Sequence, residues 1–530
     1  CRLLHPQPPP RMPPSRLYRS RVLTEAEGGP TPPPESERIR LPQGLLRRDA
    51  ELAARHVDLT EGQPQRLLIV AKDRRKNCVV GQRYPPSFGN QFLASGSWLH
   101  SSRSVGDYFT ILAQGRSNSF HQVNRESPVT SFAQLGLRPE VAAAASAAVG
   151  SDRPTLIQCL TAGPLLSGWN TACLAETGNG KTLAYLAPLL SNLLSLPEGV
   201  DRSRRCILVV CPTLVLMRQI AAAAGLFCSQ LGLRVATADE AKREAELGVI
   251  VGVPERINDL LRCRADAGAP LLPTACVLDE ADCLLDDSFV DGTSALLGRL
   301  FLQTGEPQHG VPMGAQVVLA SATMPPSLEE ALGSGLLPSD SFARVATPFA
   351  HRPPAQSAQL FVRASRDTKR ALCLARIRRN LKRQLPTIVF CNASATTKEL
   401  ADALGSSDAA ALHSGLRAAQ RDDLVKAFSV GHLPVLIATD LASRGLDTLA
   451  ARQIINCDLP GFPAIYLHRL GRIGRVGSGG SPFSVAYAAE RFEVRTVQAV
   501  ETAARLDRPL AHLDTNLSRH FAEKAASRAA

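Results

Sequence analysis

Residues 171–182 read TACLAETGNGKT, and this stretch decides the fold. Its apolar start, Thr171–Ala175, predicts a buried strand, and the run LAYLAPLL that follows predicts a helix. Glycines at 178 and 180 let successive backbone N–H groups turn toward a phosphate that Lys181 can reach. Although Ala175 stands where the general pattern has a glycine, and GKT alone could be a turn that opens a helix, the strand before it and the helix after it favour a phosphate-binding loop.

A second polar cluster, Asp279-Glu280-Ala281-Asp282, follows the apolar run ACVL. Carboxylates after a parallel strand emerge at the carboxyl edge of the sheet, where ligands bind. Asp279 can hold Mg²⁺ through water and Glu280 can polarise an attacking water, because phosphoryl transfer chiefly requires positioning and charge neutralisation. Alone, the tetrapeptide would most often be a solvated acidic loop. Beside a phosphate loop it predicts a nucleotide-hydrolysing site.

Short apolar runs separated by helix-like segments continue along the chain in two series. They predict two α/β units, each a parallel sheet with helices on both faces. The predicted strands are Thr171–Ala175, Ile207–Cys211, Val249–Val253, Cys276–Leu278, Val317–Ala320, Thr387–Cys391, Val435–Ala438, Ile454–Cys457 and Phe483–Ala488. Residues 347–357, TPFAHRPPAQS, carry three prolines and predict the linker between the units.

The first 128 residues differ from the rest in having Pro-rich stretches, charge clusters and only short apolar runs, which predicts a basic and largely disordered extension. Their first 24 residues hold five arginines and no acid, as a mitochondrial import segment would, although a basic disordered tail has the same balance. The expected division is an extension at 1–128, domains at 129–346 and 358–507 joined by the linker, and a tail at 508–530.

Composition narrows the function classes. The chain of 530 residues has 60 Lys and Arg against 48 Asp and Glu, a net charge of +12 that favours polyanionic partners only weakly. No apolar run is long enough to predict a membrane span. The 13 cysteines form no CxxC pair, which argues against a zinc site or a disulfide framework and for a reducing compartment. Cys173, Cys211, Cys276 and Cys391 lie in apolar runs and are expected to act as small hydrophobic residues.

Further motifs appear in a fixed order around these two: RPTLIQ, which ends at Gln158, then Ser321-Ala322-Thr323, IVFCN (388–392), LHSGLRAAQR (412–421), ATDLASRGLD (438–447) and YLHRLGRIGR (466–475). From Phe132 to about Gly477 the chain resembles the DEAD-box RNA helicases. The resemblance implies two tandem RecA-like domains that close on single-stranded RNA when ATP lies between them. It also implies that Gln158 bonds to the adenine edge while Phe132 stacks on the base.

The resemblance assigns roles to matching residues. Glu280, Lys181, Arg472 and Arg475 would be catalytic, with the two arginines as fingers on the γ-phosphate. The coupling residues would be Asp282, Ser321, Thr323 and His468, and the Mg²⁺ ligands Thr182 and Asp279. ATP would be bound by Phe132, Gln158, Asp447 and the loop Ala175, Glu176, Thr177, Gly178, Asn179, Gly180, Lys181 and Thr182. The RNA backbone would be contacted by Pro212, Thr213, Arg256, Thr439 and Arg444.

Three departures from the family pattern fall on the expected RNA face. PTLVLMRQ (212–219) has Leu214 and Val215 where the family usually has an Arg-Glu pair, and VPER (253–256) has Val253 and Glu255 in place of the usual TPGR. ATADEAKRE occupies the region of the family's glycine doublet. These changes predict a weaker grip on RNA beside an intact ATP site.

The expected function is therefore ATP-dependent local unwinding or remodelling of RNA. AETGNGKT, DEADCLLDDSF and HRLGRIGRVGS together are most similar to mitochondrial family members that act in assembly of the large ribosomal subunit. That similarity implies ribosomal RNA as partner, with ribosome-assembly proteins as further candidates, in the mitochondrial matrix; the nucleus or nucleolus is the alternative compartment. An ATP-gated RNA clamp or assembly scaffold with little unwinding stays open, and a DNA helicase is disfavoured.

Overall fold

The computed structural model describes residues 67–113, 129–197, 200–242, 247–286, 289–303, 314–325, 328, 337, 342–354, 357–440, 450–473, 482–510 and 513. Residues 1–66, with the predicted targeting segment, lie outside this set. The strands are β1 (Leu67–Ala71), β2 (Cys78–Val79), β3 (Tyr108–Ile111), β4 (Asn170–Leu174), β5 (Arg205–Val210), β6 (Arg234–Thr237), β7 (Leu247–Gly252), β8 (Leu272–Asp279), β9 (Gln316–Ser321), β10 (Phe342–Ala346), β11 (Ala358–Arg363), β12 (Thr387–Phe390), β13 (Ala409–Leu412), β14 (Val435–Ala438), β15 (Gln453–Asn456) and β16 (Phe483–Ala488).

Helices separate most of these strands. They are α1 (Pro139–Val149), α2 (Leu156–Leu166), α3 (Lys181–Leu194), α4 (Leu214–Ser229), α5 (Pro254–Asp266), α6 (Ala281–Leu284), α7 (Val290–Leu297), α8 (Arg366–Lys382), α9 (Ser394–Asp402), α10 (Ala418–Ser429), α11 (Pro463–Leu470) and α12 (Arg491–Leu506). All of the described residues belong to one compact unit of the chain, Gln43–Ala530.

The first sheet has seven parallel strands in the order β10-β4-β9-β8-β5-β7-β6. Its central strands are apolar on both faces: Ile207 and Val209 of β5 join one buried cluster, and Leu208 and Val210 join the other. This two-sided burial explains the continuous apolar runs in the sequence, because helices cover both faces of a parallel sheet. We call this sheet and its helices the first domain.

The second sheet has nine strands in the order β13-β14-β12-β15-β16-β11-β3-β1-β2, and with its helices it forms the second domain. The six strands from β13 to β11 are parallel, whereas β3, β1 and β2 pair antiparallel. Each of the nine predicted strands coincides with an observed strand, although the observed limits differ by some residues. The strands that were not predicted from the sequence are β1, β2, β3, β6, β10, β11 and β13.

Residues 67–113 are structured, although they lie within the N-terminal extension that the sequence predicts to be largely disordered. They form β1, β3 and the connection between them, which we call the N-terminal ribbon. Phe109 of β3 stacks on Phe361 of β11 with ring centroids 5.0 Å apart, and Trp98 is buried beside it. The sequence did not mark these strands because runs as short as LLIVA and YFTI are stabilised by pairing with a distant strand and not by their own length.

A buried ion pair fastens the ribbon to α12. The carboxylate of Glu501, which is 0% exposed, accepts hydrogen bonds from Ala94 N at 2.7 Å, Ser95 N at 3.0 Å and Ser95 Oγ at 2.6 Å. Arg505 Nη2 lies 2.7 Å from the same carboxylate. Arg505 also donates to Tyr84 Oη at 3.0 Å and to the Lys76 carbonyl at 2.6 Å. One charged pair therefore holds three separate points of the ribbon.

The connection between the sheets runs from Ala346, the end of β10, to Ala358, the start of β11. It is attached to the first domain, because Thr347 N donates to the Leu174 carbonyl at 3.0 Å and Met324 N donates to His351 Nε2 at 2.9 Å. Cys173, Cys211, Cys276 and Cys391 are free and buried, as expected for small hydrophobic residues. In the described part of the chain, no helix combines the length and apolar character that a membrane span requires.

Replacing Glu501 by alanine should weaken the second domain strongly. The change leaves the Arg505 guanidinium buried without its counter-charge, so we expect the free energy of unfolding to fall by about 3–5 kcal/mol. Urea unfolding followed by Trp98 fluorescence, in a Trp169→Phe background, measures this. The matched control is Glu399→Ala, whose exposed pair with Arg370 should contribute no more than about 1 kcal/mol. Equal urea midpoints for the two variants would contradict the assignment.

Candidate active site

The phosphate loop turns sharply between β4 and α3. Gly178 and Gly180 have φ values of 83° and 79°, a left-handed conformation that favours glycine. Lys181 begins α3, and its Nζ donates to the carbonyls of Ala175 at 2.6 Å and Glu176 at 3.0 Å. Burial lowers the pKa of Lys181, and the charges of Asp279 and Glu176 oppose that shift. The ammonium group is thus held inside the loop, where a phosphate would lie.

Gln158 supports this loop from α2. Its Oε1 accepts from Thr155 N at 2.7 Å, its Nε2 donates to the Gly180 carbonyl at 3.2 Å, and Thr155 Oγ1 donates to the Asn179 carbonyl at 3.0 Å. A Cβ at position 180 would lie 2.7 Å from Gln158 Nε2, so a side chain there would displace the Gln158 amide. Asn179 Nδ2 in turn donates to Glu176 Oε2 at 2.7 Å. Gln158 is therefore adjacent to the nucleotide loop, and its role in reading adenine stays a prediction.

Phe132 is a core residue in this structure. Its side chain is 1% exposed and packs in the first domain's buried cluster with Leu137, Val141 and Ile157. Its predicted stacking on the adenine base stays a prediction. The sequence pattern could not separate the two roles, because an aromatic residue ahead of an apolar helix suits either one.

The acidic motif lies at the end of β8, next to the loop. Tyr185 Oη donates to Asp279 Oδ2 at 3.0 Å, and burial, followed by the charge of Glu280, raises the pKa of Asp279 to about 6. Lys181 and the Tyr185 hydrogen bond oppose this rise. Glu280 adopts a left-handed backbone with φ 55°, which is unusual for a residue other than glycine. Such local strain is typical of functional positions.

The predicted coupling residues meet around one buried carboxylate. Asp282 is 1% exposed and accepts hydrogen bonds from Thr323 Oγ1 and from His468 Nε2, the latter at 2.9 Å. Ser321 Oγ donates to the Thr323 carbonyl at 2.7 Å. Burial alone would raise the pKa of Asp282, but the charge of His468 and these hydrogen bonds hold the pKa below its ordinary value. Because His468 belongs to α11 of the second domain, the ionised carboxylate is stabilised across the domain boundary.

Two more contacts cross the boundary beside the acidic motif. Arg472 Nη2 lies 3.6 Å from Glu280 Oε1, and both side chains are largely buried. Gly471 faces the phosphate loop so closely that an added Cβ would lie 1.7 Å from Thr177 Oγ1. The predicted residues Arg444, Asp447 and Arg475 lie outside the described residues.

The two domains together enclose a cleft of ≈ 210 Å³. Its lining combines the phosphate loop, the acidic motif and α11 with two residues of α4, and comprises Thr177, Gly178, Gly180, Lys181, Thr182, Leu216, Gln219, Asp279, Glu280, Ser321, Ala322, His468 and Arg472. Sequence reasoning missed Leu216, Gln219, Gly471 and Tyr185. Only Tyr185 left a signal, because it lies four residues after Lys181 and so on the same face of the helix.

Arg469, also missed, organises the second domain behind this cleft. Its guanidinium is 1% exposed and donates to both carboxylate oxygens of Asp440 at 2.6 and 2.7 Å. It also donates to Asn456 Oδ1 at 3.0 Å and Asn392 Oδ1 at 2.8 Å. These bonds tie α11 to the carboxyl ends of β12, β14 and β15, which fixes His468 and Arg472 relative to the sheet.

Comparison with known proteins agrees with this arrangement. Residues 155–331 match the family model for the DEAD/DEAH box helicase, and residues 369–477 match that for the helicase conserved C-terminal domain. The Probable ATP-dependent RNA helicase DDX28 of Homo sapiens is 31% identical over 511 residues, which cover 91% of this chain and 89% of the relative. ATP-dependent RNA helicase drs1 of Neurospora crassa is 31% identical over 71% of this chain and 44% of its own.

The chain belongs to the DEAD-box family of ATP-dependent RNA helicases. Solved structures show the same fold: S. cerevisiae Dbp5 bound to RNA and ADP BeF3 gives a TM-score of 0.57 at 23% identity, covering 76% of this chain and 99% of that one. Mss116p bound to ssRNA and AMP-PNP gives 0.60 at 21% identity, covering 71% and 78%. The predicted pair of RecA-like domains is confirmed, and the enzyme is an RNA-stimulated ATPase.

The expected RNA face of this DEAD-box helicase contains an ion pair. Arg256 Nη1 donates to Asp239 Oδ1 at 3.0 Å, and Asp239 lies in the segment that replaces the family's glycine doublet. Thr213 caps α4 by accepting from Leu216 N at 3.2 Å, beside Pro212. Thr439 follows β14 at the carboxyl edge of its sheet. The RNA contacts of Pro212, Thr213, Arg256 and Thr439 stay predictions.

Leu214 and Val215, which stand where the family usually has an Arg-Glu pair, pack against other parts of the protein. Val215 packs against the second domain's buried cluster that includes Phe390, Leu412 and Phe428. One helical turn later, Arg218 forms an ion pair with Asp422 of α10. The start of α4 therefore meets the second domain through apolar and ionic contacts.

Gly471→Ala should prevent the closed arrangement. The added methyl group would lie 1.7 Å from Thr177 Oγ1 and 2.6 Å from Thr177 Cβ, so the domains cannot close without displacing the phosphate loop. We expect RNA-stimulated hydrolysis to fall on the order of a hundredfold, while a fluorescent ATP analogue still binds. The control is Gly461→Ala, because nothing lies within 4 Å of a Cβ added there. Wild-type turnover by Gly471→Ala would refute the close approach.

Proposed function

We propose that this DEAD-box helicase hydrolyses ATP in the cleft between its domains and acts on ribosomal RNA in mitochondria. ATP hydrolysis in the cleft is supported chiefly by the contact of Arg472 with Glu280 beside Lys181, because this contact brings together side chains from both domains. Hydrolysis then depends on closure, and closure can depend on RNA.

Each group has a role that its geometry permits. Lys181 and the N–H groups of the loop bind the terminal phosphates, and Glu280 orients the attacking water and accepts its proton. Arg472 neutralises charge that develops on the transferred phosphoryl group, and its planar guanidinium suits several oxygens at once. Arg475 and Asp447 keep their predicted roles as second finger and ribose contact.

Thr182 and Asp279 are the residues that would hold Mg²⁺. A hydroxyl and a carboxylate suit a hard cation, and both groups line the cleft beside Lys181. When bound, the ion would neutralise phosphate charge. It would also favour the ionised form of Asp279, whose pKa is raised to about 6 in this structure.

The substrate and compartment rest on the sequence. Five arginines and no acid in the first 24 residues support mitochondrial import, and the net charge of +12 supports a polyanionic partner. The motif combination noted above supports ribosomal RNA and assembly of the large subunit. Crosslinking to RNA in cells, with reads assigned to compartments, tests both parts. Reads from nuclear transcripts alone would refute the mitochondrial assignment.

A clamp with little unwinding is the second candidate. Asp239 favours this function because it pairs with Arg256, a residue that is expected to contact RNA. Val215 favours it because it stands where the family usually has a polar residue and packs against the second domain. A strand-displacement assay on a short RNA duplex separates the two functions. A clamp would retain RNA with ATP bound and release no strand.

Glu280→Gln should abolish turnover but retain ATP binding. The amide keeps the shape of the side chain and cannot accept a proton, so we expect RNA-stimulated kcat to fall about a hundredfold or more. Hydrolysis with and without RNA, measured by phosphate release, gives the readout. Glu140→Gln, on the exposed surface of α1, is the control and should behave as the wild type.

Retained hydrolysis in Glu280→Gln would rule out the role of Glu280. Absence of RNA stimulation in the wild type would rule out the proposed RNA-gated cycle.

A further inference from the structure

We propose that the N-terminal ribbon carries a second RNA-binding surface, built from the cationic turn Arg74–Lys76, Arg83 and the aromatic pair Phe88 and Phe92. It binds single-stranded RNA that extends beyond the expected RNA face of the two domains. The inference rests on the proposed RNA-dependent function and adds a separate site to it. We call these residues the ribbon surface.

The aromatic pair is unusual because it lies outside the hydrophobic cores of the fold. Phe88 and Phe92 stack with centroids 5.5 Å apart and an angle of 11° between their planes. Tyr84 meets both rings edge-on, at 5.0 and 5.6 Å. Both phenylalanines are only partly buried and belong to none of the core clusters among the described residues. Parallel rings at a surface provide a platform on which an unpaired base can stack.

The cationic turn lies on the same surface and is held rigidly. Lys76 Nζ donates to the Gln91 carbonyl, which adjoins Phe92. Arg505 donates to the Lys76 carbonyl and to Tyr84 Oη, so one buried guanidinium fixes both the turn and the aromatic cluster. A surface fixed in advance loses little conformational entropy when it binds, which favours a binding role.

The charge of the ribbon favours a polyanion. Residues 67–113 hold six cations (Lys72, Arg74, Arg75, Lys76, Arg83 and Arg103) and two acids, a net charge of +4. The two acids, Asp73 and Asp107, lie in ion pairs with Arg75 and Lys72. The net positive charge of the ribbon is therefore carried by Arg74, Lys76, Arg83 and Arg103. Cations interleaved with aromatic rings match the alternating phosphates and bases of a single strand.

The position of the ribbon separates this surface from the ATP-gated RNA contacts. In the sheet order, seven strand-to-strand steps lie between β14, which ends beside Thr439, and β2, which adjoins the cationic turn. At about 4.8 Å per step this is up to about 34 Å. We expect a short oligonucleotide on the expected RNA face not to reach the ribbon, whereas a long strand can contact both. The ribbon would then retain RNA while the domains open.

The test compares short and long single-stranded oligouridylate on the full chain. In Phe88→Ala/Phe92→Ala, we expect the affinity for long RNA, from fluorescence anisotropy, to fall on the order of tenfold as base stacking is lost. In Arg74→Gln/Arg83→Gln, we expect the slope of log K against log salt to fall by about 1.4, from two phosphate contacts. The half-saturating concentration of short RNA for ATPase stimulation should not change in either variant.

Matched controls exclude general effects. Phe301→Ala removes an aromatic ring that is 80% exposed in the first domain, and Lys382→Gln/Arg383→Gln removes two exposed cations at the end of α8. Both should bind long RNA as the wild type does. Trp98 fluorescence checks that the ribbon stays folded, and the arginine variant decides the test if the aromatic variant does not fold.

The outcomes separate the two proposals. Wild-type affinity and salt slope for long RNA in both ribbon variants would overturn the ribbon surface and indicate a different occupant, such as an acidic protein. The helicase proposal would then stand, provided that short RNA still stimulates hydrolysis. If RNA of neither length stimulates the wild type, the proposed function itself fails.

Discussion

The hydrogen bond between His468 and Asp282 is the contact on which the closed molecule depends. A carboxylate that is 1% exposed cannot stay ionised without partners, and one of its partners belongs to the other domain. Separating the domains removes His468, so the carboxylate must find water or another donor. The state of the cleft and the relative position of the domains are therefore linked through one buried charge. Arg472 beside Glu280 and Gly471 against Thr177 depend on the same closure.

The strands and the motif positions were predictable because both are local signals. Apolar runs marked all nine predicted strands, and the glycines of the phosphate loop specify its turn whatever the distant contacts are. The contact between Asp282 and His468 could be expected only from the family resemblance. Neither sequence segment contains a local signal that it pairs with the other. Gly471 could not be selected from the sequence, since its constraint comes from a side chain in another domain. The strands of the ribbon were not marked by the sequence for the same reason: burial there is decided by tertiary contacts.

Side chains on the expected RNA face of the first domain make contacts within the protein. Arg256 pairs with Asp239, and Val215 packs against the second domain. Apolar contacts between the domains, such as that of Val215, favour closure without RNA. An arginine at the same position would favour closure only when a phosphate is present. The balance between nucleotide and RNA as triggers of closure is thus set partly by apolar packing. This differs from a cycle in which RNA alone brings the domains together.

The ribbon precedes the first domain in the chain but belongs to the sheet of the second. During synthesis, β1 and β3 emerge long before β11, the strand that β3 pairs with. The first domain can fold in the interval as a unit, whereas the edge of β3 that pairs with β11 has no partner until more than half of the chain has appeared. Nascent-chain chaperones would meet this segment exposed for that whole period. The earliest part of the fold to be made is thus among the last to be completed.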